Sequence, residues 1–322
     1  MFSQQHAAAP LVIERYGRPS LRSRAVAASV RAVVRPYMVR TAATALGPKE
    51  LRRAAQLDRL AAHARPARGT WHERVRFDGF DAEWVHGPGV SPVRAGNVVL
   101  YLHGGGFISC GLNTHRRLTS QISAAAGVPA LSVDYRMYPA VRFEQEVDDC
   151  VTAYRGLLDE GRKPGQVVVA GDSAGGHLAF ATVLKARDMG LPLPAGIVGL
   201  SPILDMDLTA KQQHANAALD PVRFIDSLTQ VMGVITAGLD LTDPLVSPVH
   251  ADLAGLPPVL LSVGSTEVMF CDNETMAHRL AAAGVPTTLQ IWQDQLHVFQ
   301  MFGPLLPESR AGLRSVGRFI QA

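Results

Sequence analysis

Three polar residues far apart in the chain and two glycine-rich stretches hold the chemistry available to it. Gly171-Asp172-Ser173-Ala174-Gly175 follows the apolar run 167–170 and precedes a helical pattern. It fits the G-x-S-x-G turn, in which a strained strand-to-helix bend pushes a serine hydroxyl out at the C-terminal end of a sheet. The bend needs small flanks, and Gly171 and Gly175 supply them. The N–H of Ala174 then lies at a helix N-terminus, where it can stabilise a developing oxyanion. The competing reading is an ordinary serine in a glycine-rich turn, in a chain with 29 glycines.

A hydroxyl nucleophile needs a base, a group that orients the base, and donors for the oxyanion. Where a G-x-S-x-G serine acts in an α/β-hydrolase, the chain order is serine, acid, histidine. His297 lies just past the last predicted strand, in a loop that can overhang the strand ends. Nine of the other ten histidines precede Glu267, and His278 falls inside a predicted helix. Two acids, Glu267 and Asp272, follow the apolar run 259–263. Glu267 falls in the loop and is taken as the orienting acid. Asp272 falls where a helix begins and is expected to cap it. In His103-Gly104-Gly105-Gly106 three glycines let the backbone approach a substrate oxygen and turn N–H groups toward it. The phosphate-binding patterns that would compete for these glycines are absent from this stretch. Phe107 and Ile108, past the glycines, and Leu204, past a predicted strand, are expected to contact the substrate.

These groups must be positioned by the elements around them. Strands are predicted at 72–77 and 82–85, as a hairpin about Asp78-Gly79, and at 98–102, 129–134, 167–170, 195–200, 259–263 and 287–292. Helices are predicted at 116–126, 147–158, 177–187, 272–283 and 307–320. Strands alternating with helices imply an α/β fold with a mostly parallel sheet covered on both faces. The stretch 205–248 interrupts that alternation at a strand's C-terminal end and reads as a cap or lid, helical at 221–237. Residues 1–70 read as a helical cap segment. Its helices are expected at 21–39 and 49–63, broken by Pro36 and by Gly47-Pro48, with Val26, Val30, Val33 and Val34 as a packing face. The catalytic domain is then 71–322.

With 322 residues, 47% hydrophobic and 18% charged, the chain can bury a large core. Cys110, Cys150 and Cys271 form neither a disulfide framework nor a metal spacing, which suits a reducing, cytoplasmic setting. No apolar run is long enough to span a membrane, and His6, Glu14 and Arg15 interrupt any signal-peptide core. The arginine-rich, acid-poor front end leaves a transit peptide as a lesser alternative. Charge is uneven. Residues 1–72 hold 13 basic and 3 acidic side chains (+10), the remainder 18 and 25 (−7). The front end is expected to pair with the acidic body; contact with an anionic surface is the alternative.

Taken together, His103-Gly104-Gly105-Gly106, the Gly171–Gly175 turn and Asp243-Pro244-Leu245-Val246-Ser247-Pro248 resemble the hormone-sensitive-lipase-like branch of the α/β-hydrolases. Asp134-Tyr135-Arg136 and Leu256-Pro257-Pro258 fit it too. The resemblance runs from about Trp71 to the C-terminus. It implies an esterase for short- to medium-chain esters with no metal and no cofactor. It also implies a triad of Ser173, Glu267 and His297, an oxyanion hole of Gly105, Gly106 and Ala174, and a cap built from 1–70 and 205–248. Departures are Met137-Tyr138-Pro139-Ala140-Val141 where the family has Leu-Ala-Pro-Glu-His, Cys110 in place of a small residue, and Glu267-Val268 where Asp-Pro is common. A lactone or amide would need the same machinery. A non-catalytic binding protein on this fold would not need His297, and a propeller-bearing peptidase does not fit the length. The expected partner is a small-molecule ester, with no nucleic acid and no stable membrane insertion. A dimer is left open.

Overall fold

Five apolar runs become strands buried on both faces: Val98–Leu102, Ala130–Asp134, Val167–Asp172, Gly196–Leu200 and Val259–Gly264. Successive side chains leave a strand on opposite sides. Leu100 and Val169 therefore enter one core, and Val99, Tyr101, Val168 and Ala170 enter the other. Helices close both faces because each sheet face must be buried.

The computed structural model describes residues 10–42, 45–91 and 96–322. In chain order the elements are β1 (Leu11–Tyr16), α1 (Leu21–Ser29), a π-helical turn (Val30–Val34), α2 (Arg35–Ala42) and α3 (Pro48–Leu60). Next come β2 (Trp71–Arg76), β3 (Asp81–His86), β4 (Val98–Leu102), α4 (Leu112–Ala126), β5 (Ala130–Asp134) and α5 (Phe143–Asp159). Then follow β6 (Val167–Asp172), α6 (Ala174–Asp188), β7 (Gly196–Leu200), α7 (Thr209–Gln213), α8 (Asn216–Leu219) and α9 (Phe224–Ile235). The chain ends with β8 (Val259–Gly264), α10 (Phe270–Ala282), β9 (Thr287–Trp292) and α11 (Pro307–Gln321). The nine-stranded sheet has the order β1-β9-β8-β7-β6-β4-β5-β3-β2. It is parallel from β1 to β5, and β3 runs antiparallel to both β5 and β2. The expected hairpin is the β2–β3 pair.

The front end departs from the expectation of a helical segment. Residues 11–16 form β1, which pairs in parallel with β9 from Leu11↔Thr287 to Tyr16↔Trp292. Pro36 does not break the following helix. A proline lacks the N–H that an α-helix needs, and the turn before it widens to π geometry, with Arg35 N–H reaching Val30 O. The expected packing face is only partly used: Val26 and Val30 are half-buried, whereas Val33 and Val34 face solvent. Residues 1–9 and 43–44 of this segment lie outside the described residues. Beyond the π turn, α2 packs on α9 from the 205–248 insertion.

Candidate active site

The turn between β6 and α6 is tight because nothing larger than hydrogen fits its flanks. A Cβ on Gly171 would fall on the carbonyl of Gly175, and one on Gly175 on the carbonyl of Leu102. Ser173 sits between them at φ 52°, ψ −118°, a strained conformation for a residue with a side chain. The helix starts at Ala174, three residues earlier than expected, so the Ala174 N–H has no intrahelical acceptor.

β6 and β8 bring Ser173 and Glu267 to the same sheet edge, and the loop after β9 brings His297. Ser173 Oγ donates to His297 Nε2 at 2.9 Å. His297 Nδ1 lies 2.7 Å from Glu267 Oε2. A carboxylate only accepts, so Nδ1 carries the proton and Nε2 is free to take one from Ser173. Burial lowers the affinity of His297 for a second proton. The Glu267 hydrogen bond and charge, with Asp220 and Asp172 beyond, outweigh it and raise the imidazole above its ordinary value. Phe224 of α9 stacks on the ring, centroids 4.9 Å apart.

Glu267 is fully buried and held from several sides. Its Oε1 accepts from Ser201 Oγ at 2.8 Å and from the Gly264 N–H at 2.5 Å, leaving Oε2 for His297. The insertion clamps the same turn. Asn216 Nδ2 donates to the carbonyls of Ser265 and Glu267 at 2.9 and 2.8 Å. Asp220 accepts from Val268 N–H at 3.3 Å. Asp272 is not a helix cap, since α10 has already begun at Phe270. Its buried carboxylate accepts from the N–H groups of Leu204 and Asp205 and pairs with Lys211 Nζ at 2.8 Å.

The glycine-rich loop after β4 is locked through its carbonyls. His103 Nδ1 donates to Gly104 O at 2.8 Å, and Ser109 Oγ donates to Gly105 O at 2.7 Å. In a trans peptide the N–H points opposite to the C=O. The N–H groups of Gly105 and Gly106 are thereby turned away from His103 and Ser109. Burial pulls His103 down to about 4, so it stays neutral and keeps its single proton for Gly104. Asp172 ties this loop to the elbow. Its Oδ1 accepts from Tyr101 Oη at 2.6 Å and Gly104 N–H at 3.0 Å, and Oδ2 faces His115 Nε2 at 3.3 Å.

A cavity of about 300 Å³ opens over these groups. Met38 of α2, Ile108, Phe224, Leu228 and Val231 of α9, and Met301 give it an apolar wall, while Gly105, Gly106, Ser173 and His297 lie at its base. Of the three expected substrate contacts only Ile108 is on that wall. Phe107 is fully buried beside Phe143 and His177. Leu204 is fully buried, its backbone held by Asp272. Both apolar side chains satisfy the core instead. The 243–248 segment is structural as well: Leu245 O faces His177 Nε2 at 3.0 Å, and Ser247 Oγ accepts from Met206 N–H at 2.9 Å.

Asp172, Ser201, Asn216 and Asp220 were not singled out for these roles by the sequence. A signal for the first was present: an acid inside a G-x-S-x-G turn is buried by the turn and must find donors. Among the described residues no cluster of three or more His, Cys, Asp or Glu is placed to hold a metal ion.

Residues 99–301 match the family described as the alpha/beta hydrolase fold. The chain is 38% identical to carboxylesterase/phospholipase LipF of Mycobacterium tuberculosis, over 97% of this chain and 84% of that protein. An acetyl-hydrolase of Streptomyces hygroscopicus is 39% identical over 74% of this chain and 79% of its own. Among solved structures, an esterase from the bacterial hormone-sensitive lipase family has a TM-score of 0.81 at 35% identity, covering 95% of this chain and 99% of that one. The esterase EstE5, soaked with p-nitrophenyl butyrate, has a TM-score of 0.82 at 35% identity, covering 94% and 98%.

Proposed function

The chain belongs to the α/β-hydrolase family, in its hormone-sensitive-lipase-like branch, and from that premise we propose that it hydrolyses carboxylic esters of short to medium acyl chain through an acyl-enzyme on Ser173. One observation carries this reading: the unbroken hydrogen-bonded line Ser173–His297–Glu267 at the base of an apolar cavity. The names of the relatives, carboxylesterase and acetyl-hydrolase, support it.

Ser173 Oγ attacks the ester carbonyl as His297 Nε2 takes its proton. The carbonyl oxygen becomes an oxyanion and accepts from the N–H groups of Gly105, Gly106 and Ala174. His297 returns the proton to the departing alkoxide, which leaves as alcohol. Water then attacks the acyl-enzyme, giving up its proton to His297, and the collapse that frees the acid restores the Ser173 hydroxyl. Glu267 holds the tautomer and stabilises the imidazolium. The α2–α9 roof, Met38 with Phe224, Leu228 and Val231, receives the apolar acyl chain. A fluorophosphonate should label Ser173, and p-nitrophenyl acetate and butyrate should be turned over. Ser173→Ala should lose both while its melting temperature stays near that of the parent. Substantial turnover by that variant would falsify the assignment. A lactone panel run beside the esters separates the alternative that uses the same groups.

A further inference from the structure

The helical segment after β1 is basic and exposed. From Arg15 to Lys49 the chain carries eight basic residues and no acidic one. Arg18, Arg22, Arg24, Arg31 and Arg40 are exposed, and none takes part in an ion pair among the described residues. Among the described residues, then, no ion pair joins these five arginines to the acidic body. The front end is attached instead by the β1–β9 ladder, the Tyr16–Trp292 stack, the packing of α2 on α9 and the bonds of Ser20 and Ser23 to Glu308, among other contacts.

The same segment turns large apolar side chains outward. Leu21 is 79% exposed, Val33 72% and Tyr37 67%, with Val34 and Val39 beside them. Val33 and Val34 lie four and three residues before Tyr37, so each neighbours it across about one helical turn. An exposed apolar patch bordered by charge marks a surface that meets something. Beside it, Arg18, Arg24 and Arg31 line a cleft of about 740 Å³, with Thr266 and Gln293 opposite and Asp294 the one acid on its wall. Met38, a residue after Tyr37, lines the cavity over Ser173, as does the exposed Met301.

We propose that residues 18–40 are a docking surface for an anionic lipid bilayer. The arginines contact headgroup phosphates, and Val33, Val34 and Tyr37 enter the interfacial layer. Basic side chains beside outward apolar ones are the composition that holds a helix at such an interface. A second copy of this chain is disfavoured as occupant, because an isologous contact would set one arginine-rich face against its twin. Docking itself is independent of the esterase reading. Its consequence, that the cavity beneath Met38 is held at the surface where apolar esters partition, rests on that reading.

The test is sedimentation of the full-length Ser173→Ala variant, which cannot consume the vesicles, with phosphatidylcholine vesicles with and without phosphatidylglycerol. Binding should appear with phosphatidylglycerol at low salt and be lost at high salt. Arg24→Gln and Arg31→Gln should each weaken it about five-fold. Val33→Ser with Tyr37→Ser should weaken it at every salt concentration. Placed in the parent protein, the same four substitutions should leave turnover of a water-soluble ester unchanged, which reports that the fold is intact. Three results overturn the proposal: no binding to phosphatidylglycerol vesicles at low salt, equal binding to phosphatidylcholine alone, or a dimer that these substitutions dissolve. Failure of the esterase reading shows separately, as absent turnover of the soluble ester by the parent.

Discussion

At the scale of single residues, Glu267 and Asp272 show how burial separates two acids five positions apart. Glu267 meets His297, and its charge and hydrogen bond raise the imidazole against the opposing effect of burial. A general base works only when unprotonated, so turnover should fall as pH drops through that value, which Glu267 raises above the ordinary one for imidazole. In Glu267→Gln the charge is gone and the imidazole loses its proton more readily. The acid limb of kcat/KM should move to lower pH while kcat falls by a factor on the order of 10⁴. A pH profile of both proteins measures the two effects together; an unmoved acid limb would separate Glu267 from His297. Asp272 instead neutralises Lys211, whose Nζ is fully buried and also donates to Asp205 O at 2.6 Å. Asp272→Asn should therefore lower stability by about 3–5 kcal/mol, because it strands a buried ammonium. Denaturant melts of parent and variant decide this, and turnover of the folded variant should stay near the parent's. That Ser173, Glu267 and His297 would be brought together was legible because their type, order and place after strands all agree. Ser201 and Asp220 were not, because their contacts with the acid's turn exist only once β7 lies beside β8 and the insertion folds back on it.

Among the elements, α9 supplies Phe224, Leu228 and Val231 to the apolar wall of the cavity. Val231 lies close to Gly106, and a Cβ built there would stand 3.6 Å from Val231 Cγ1. Truncating Val231 to Ala lengthens the apolar slot without touching the triad. Each further methylene buried there is worth about 0.8 kcal/mol, or about four-fold in kcat/KM. Hexanoate carries two methylenes more than butyrate, so the hexanoate-to-butyrate ratio of kcat/KM should rise in Val231→Ala by about four-fold if one of them is newly buried and up to about 15-fold if both are, and an unchanged ratio would place the acyl chain elsewhere. Strands buried on both faces were read from their apolar runs almost to the residue. β1 was missed for the opposite reason: it is an edge strand whose Val12, Ile13 and Arg15 stay exposed, so no periodicity marks it. Pro36 misled for another reason. Rules for helix breaking assume α geometry, and the π turn ahead of it absorbs the missing N–H.

For the whole molecule, the front end reaches the candidate site through the sheet as well as through α2. β1 extends the sheet beyond β9, and the loop that carries His297 leaves β9 directly. Gln293 N–H donates to Tyr16 O at 3.1 Å, and the Tyr16 ring stacks on Trp292 with centroids 3.6 Å apart. Buried Ser23 Oγ, which donates to Glu308, also lies 3.2 Å from Gln295 Oε1, two residues before His297. A chain beginning at Gly47 loses these supports along with Met38, and β9 becomes an open edge. Misplacing a catalytic group by even about 1 Å can cost on the order of 100-fold in rate. The truncated chain should therefore show a kcat on butyrate at least about ten-fold lower, a shifted chain-length preference and a lower melting temperature. Tyr16→Ala, which keeps the roof, separates the two contributions. It should lower kcat and leave the hexanoate-to-butyrate ratio as in the parent. If the truncated chain keeps its kcat and changes only its chain-length preference, the front end is a roof alone and the base loop stands without it.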